Sequence, residues 1–83
     1  MWAVEVRDVV RFFDTDGVEH KALVTAVHGT PTDEFKPCVN LVYVASEEDK
    51  KDPYGRQLLR ASSVAHARQT RLRGYSYLLM SED

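Results

Sequence analysis

The sequence predicts an all-β domain, a small five-stranded, partly open barrel with an extended segment at each end. Three observations carry this. Short runs of β-formers recur with turn residues between them. The second run is long and apolar on both faces, as in a strand that bends or sits centrally. The best helical stripe, Leu58, Ala61, Ala65 and Arg68 within a Gln57–Thr70 helix, is weak and stands only as an alternative.

The elements follow in chain order. Val9 to Phe13 is a run of β-formers, and Asp14-Thr15-Asp16-Gly17 behind it is a hairpin signal. Val18 to His28 is the long second strand, with Ala22, Val24 and Ala26 on one face and Leu23, Thr25 and Val27 on the other. Gly29 ends it, and Gly29 to Pro37 is a loop by composition. Cys38 to Ala45 is the clearest strand: Val39, Leu41, Tyr43 and Ala45 point one way, Asn40, Val42 and Val44 the other. Ser46 to Gly55 is a charged turn region. Gln57 to Arg60 supplies a fourth strand, Ala61-Ser62-Ser63 a single turn, and Val64 to Ala67 a fifth strand. The expected organisation is a terminal segment over residues 1–8, a barrel over 9–67 and a C-terminal arm over 68–83.

Composition bounds the function. The 83 residues fit one small domain with a thin core, which buries roughly 60% of its unfolded surface. At 43% apolar and 29% charged, the chain resembles ordinary globular protein, and its apolar runs are too short to span a bilayer as a helix. Nothing at its start has the pattern of a secretory leader. The lone Cys38 excludes an internal disulfide and fits a reducing compartment or a particle assembled in a cytoplasm. Residues 1–55 hold six Lys/Arg against eleven Asp/Glu, whereas residues 56–83 hold five Arg against two acids. The second part is therefore the better contact surface, since Arg binds carboxylates in a planar fork.

Candidate chemistry is sparse. His20, His28 and His66 are far apart in sequence, and no Cys pair supports a metal among them. Cys38 with a histidine, or Ser62-Ser63 with His66, is the minimum for a nucleophile and base, without a nucleophile elbow. Asp14 and Asp16 are explained by the turn they flank, and the run Glu47 to Asp52 lacks the EF-hand pattern. The expectation is a protein that is not an enzyme and holds no metal or cofactor.

A resemblance adds to this. Val9 to Gly29 ("VVRFFDTDGVEHKALVTAVHG"), Val39 to Gln57 ("VNLVYVASEEDKKDPYGRQ") and Arg60 to His66 ("RASSVAH") together resemble a group of small SH3-like barrel proteins encoded by bacteriophages. It covers about Val9 to His66. It implies a structural role in the virion, as a capsid decoration or minor capsid protein acting through protein–protein interaction in a symmetric assembly.

Partner contacts are then expected from Trp2, Tyr54, Arg56, Arg71, Arg73, Tyr75 and Tyr77. Tyr and Arg are enriched at interface hot spots. "YSYLLM", Tyr75 to Met80, alternates at period two with apolar weight on both faces. It either completes its own sheet or adds a strand to a neighbouring subunit. The partners expected are major capsid or other virion subunits, without a membrane. One alternative is a head–tail connector component. Another is a nucleic-acid-binding barrel that contacts phosphates through Arg68, Arg71 and Arg73 and stacks bases on Tyr75 and Tyr77, or on a Phe12, Phe13 and Tyr43 platform.

Overall fold

The computed structural model describes residues 2–46, 51–70 and 74–82. Its elements are strands β1 (Val9–Phe13), β2 (Glu19–His28), β3 (Cys38–Val44), β4 (Lys51–Asp52), β5 (Gly55–Arg56), β6 (Leu58–His66) and β7 (Ser76–Leu79). Among the described residues there is no helix. Strands β1, β2, β3, β6 and β7 close into a barrel in that order, while β4 and β5 form a separate two-stranded ribbon. The fold class is all-β, a small five-stranded SH3-like barrel as expected, closed by β7 where the sequence predicts a partly open one.

The first hairpin forms because Asp14 organises its turn. Its Oδ1 accepts the amides of Asp16 and Val18, and its Oδ2 lies 2.8 Å from His20 Nε2. Gly17 supplies the left-handed residue, at φ 80°. The strands then pair from Val9 opposite Leu23 to Phe13 opposite Glu19.

Two bulges bend the barrel, and each corrects a simple alternation. In β2 the register slips between Val24 and Ala26, leaving Thr25 as the extra residue. The facing therefore flips, and Val27 packs against the core with Ala22 and Val24 instead of sharing a face with Leu23. In β6 the slip lies opposite Asn40, between Ala61 and Val64. Ser63 sits there at φ 53°, and its amide donates to Asn40 Oδ1. The turn expected at Ala61–Ser63 is this bulge, so the two short strands expected at Gln57–Arg60 and Val64–Ala67 are one continuous strand, β6.

The fifth barrel strand is instead β7. It pairs antiparallel with β1, from Val10 opposite Leu79 to Phe13 opposite Ser76, and parallel with β6 at Ala65 and His66. The segment expected as an arm over 68–83 thus supplies the closing strand. Gly74 precedes it at φ 77°, where a Cβ would come 2.5 Å from the Asp14 carbonyl oxygen.

The core comprises Val4, Val10, Phe12, Ala22, Val24, Val39, Leu41, Ala61, Val64 and Tyr77. Val4 brings the N-terminal segment into it. That segment is tied to β2 by the Arg7 amide donating to the Val24 carbonyl and the Val24 amide donating to that of Asp8.

Candidate protein-binding surface

The structure separates the seven expected contact residues. Tyr77 is fully buried, and its hydroxyl donates to the Pro37 carbonyl at 2.6 Å. Burial pushes its phenol well above the ordinary range, helped by the nearby Cys38 and Glu82. Tyr75 is partly covered: its ring stands edge-on to Phe12, and its hydroxyl both accepts the Ser62 amide and donates to the Ser62 carbonyl. Trp2 packs edge-on to His66, with ring centroids 5.2 Å apart, and its backbone amide donates to Asp33 Oδ1. Lys36 Nζ lies over its ring. These three aromatics therefore work inside the molecule, because the barrel needs them to close an end and an edge. Arg56 donates to the carbonyls of Ala45 and Ser46, which ties the ribbon to β3. Tyr54 is displayed at the ribbon tip, 98% exposed. Arg71 and Arg73 lie outside the described residues.

Each histidine has a side-chain partner of its own. His20 meets Asp14, and His28 Nε2 lies 2.8 Å from Asn40 Oδ1. His66 is fully buried and spans two partners. Its Nδ1 accepts the Arg68 amide, so the proton sits on Nε2, which donates to Glu82. Both nitrogens are engaged, which leaves neither for Ser62 or Ser63. Burial opposes ionisation of Glu82, but hydrogen bonds from His66 and the Leu79 amide outweigh it and hold the carboxyl below its usual range. Asp14 behaves the same way: burial works against its charge, and His20 with the Val18 and Asp16 amides prevails. Among the described residues no three His, Cys, Asp or Glu side chains converge as a metal site. Cys38 is half-buried at the start of β3, opposite His28.

The surface that stands out is the outer face of β1, β2, β3 and β6. Val9 pairs across to Leu23, Leu23 to Val42 and Val42 to Arg60. One step along, Val44 pairs with Leu58. Leu58 is 68% exposed, and Val9, Leu23 and Val44 are each between 42% and 49%. Together with Lys21 these side chains line one apolar groove. Arg60, Thr25, Asn40 and Ser62 line a more polar hollow adjoining it at Val42. Contiguous apolar surface with a charged rim marks an interaction site better than scattered exposed residues do. Alternation shows each of these side chains singly in the sequence. Their union into one patch needs the cross-strand register, which the sequence does not display.

Compared with protein families, with curated proteins and with solved structures, the chain finds no match.

Proposed function

We propose that this chain is a non-enzymatic structural protein of a bacteriophage virion, a capsid decoration or cement (minor capsid) protein that binds other virion subunits through the outer face of its barrel. The virion assignment rests on the resemblance over Val9 to His66. The binding assignment rests on one observation, the row of exposed Val9, Leu23, Val44 and Leu58 around half-buried Val42, with Lys21 and Arg60 beside it. Fully burying a side chain of this kind against a partner yields about 1.5–3 kcal/mol. Repetition over a symmetric shell converts a modest site into firm attachment through multivalency.

The termini hold the domain together in this reading, rather than reaching across seams. Base stacking receives little support, because Phe12 and Tyr77 are buried and Tyr75 is tied to Ser62. The experiment is composition analysis of purified particles carrying the wild-type chain or its Val42→Lys or Leu58→Lys variant. Hundreds of copies per particle, lost in variants that remain folded, are expected. A few copies per particle would favour the connector instead. Its absence from particles would overturn the virion reading, and undiminished loading of both variants would overturn the docking face.

A further inference from the structure

We infer that the open edge of β6, at Leu58 and Arg60, accepts an acidic, extended segment of the partner protein as an added strand. This rests on the protein-binding reading above and specifies the partner's conformation and charge.

The direction of the main-chain groups carries the inference. The Gln57 carbonyl accepts the Ala45 amide, so Gln57 faces β3, and by alternation so do Leu59 and Ala61. Ser62 faces the other way, and Tyr75's hydroxyl takes both its N–H and its C=O. Leu58 and Arg60 share that outward direction. β7 reaches β6 only at Ala65 and His66, so among the described residues β3 is the only strand that pairs with Leu58 and Arg60, and no strand lies along their outward side. A row of main-chain donors and acceptors is satisfied by another strand. Tyr75's hydroxyl stands in for one at Ser62, and the stretch beyond it has no such substitute among the described residues.

Side chains beside the edge define what that strand carries. Leu58 and its cross-strand neighbour Val44 offer an apolar seat. Arg60 lies next along the same face, and Lys21 borders the same groove. An added strand that places a β-branched residue and a Glu or Asp two positions apart, so that both lie on its outer face, fits both. A second copy is the poorer occupant, because edge-to-edge pairing of this short stretch brings the Arg56 and Arg60 side chains of both copies to one seam.

The probe is a synthetic acetylated and amidated peptide, Thr-Glu-Thr-Val-Thr-Glu, whose Val and two Glu share one face, titrated into the full-length labelled protein at low salt and followed by residue-resolved amide NMR. Saturation is expected to slow exchange of the Leu58 and Arg60 amides at least tenfold. Arg60→Pro removes an outward N–H that the barrel does not use, a substitution tolerated at an edge. It is expected to weaken binding at least tenfold, whereas Arg60→Ala weakens it severalfold and flattens its salt dependence. Four results would overturn the inference: Leu58 and Arg60 amides already protected in the dilute free protein, protection that appears with protein concentration alone, no binding at millimolar peptide, or equal binding by the Arg60→Pro variant. Particle loading separates the two claims. Loss with Val42→Lys but not with Arg60→Pro sinks the added strand and leaves the docking face intact.

Discussion

Glu82 is the residue through which the last turn holds the barrel. Its carboxylate accepts from His66 Nε2 and from the Leu79 amide, and its backbone carbonyl accepts from Arg11. Its folded-state pKa lies below the ordinary 4.5, so its contribution is complete above 4.5 and is lost as pH falls from there through the lowered folded-state pKa. Glu82→Gln is expected to cost about 1.5–3 kcal/mol near neutrality, the range for a hydrogen bond to a charged group. It also shrinks the difference in stability between pH 7 and pH 3. Denaturant titrations at both values test this; an unchanged pH dependence would contradict it. Asp14 has the same sign, so part of the acid loss persists in the variant. Tyr77→Phe keeps the ring but orphans the buried Pro37 carbonyl, at a cost of about 1–3 kcal/mol. The sequence marks Trp2, Tyr75 and Tyr77 as side chains that need cover. It does not show that the cover is His66, Phe12 and Pro37 of the same chain, since those contacts cross long stretches of sequence.

At the scale of elements, β7 decides whether a barrel exists. It supplies a core aromatic and links β1 to β6. Removing residues 74–83 is therefore expected to abolish cooperative unfolding and the dispersed amide spectrum. A folded truncated domain would mean that four strands suffice. Gly74→Ala tests the entry to β7 more gently: its φ and the Asp14 carbonyl both oppose a Cβ, and a loss of about 1–3 kcal/mol is expected in thermal or denaturant unfolding. Strands β1, β2 and β3 were legible because they alternate next to strong turn signals. The bulges were not. Thr25 reverses the facing of Val27 without any glycine or proline to announce it, and Ser63 adopts a left-handed φ that no local pattern requires. β7 was only half legible: "YSYLLM" announces a strand, but its parallel pairing with β6 is a long-range choice that local periodicity does not encode.

For the whole molecule, the division of labour runs opposite to the one the ends of the sequence imply. The aromatic termini fold inward, and the free apolar surface lies on the outer face of β1, β2, β3 and β6. The acidic-to-basic shift along the chain keeps its meaning through Arg60, which borders that face. The most direct measurement is residue-resolved amide exchange on the dilute free protein. The account predicts that Ser76, Tyr77 and Leu78 exchange only through global unfolding, while Leu58 and Arg60 exchange at nearly the rate of an open chain. Fast exchange along β7 together with slow exchange at Leu58 and Arg60 would contradict it, because the closing strand and the open edge would then have traded places.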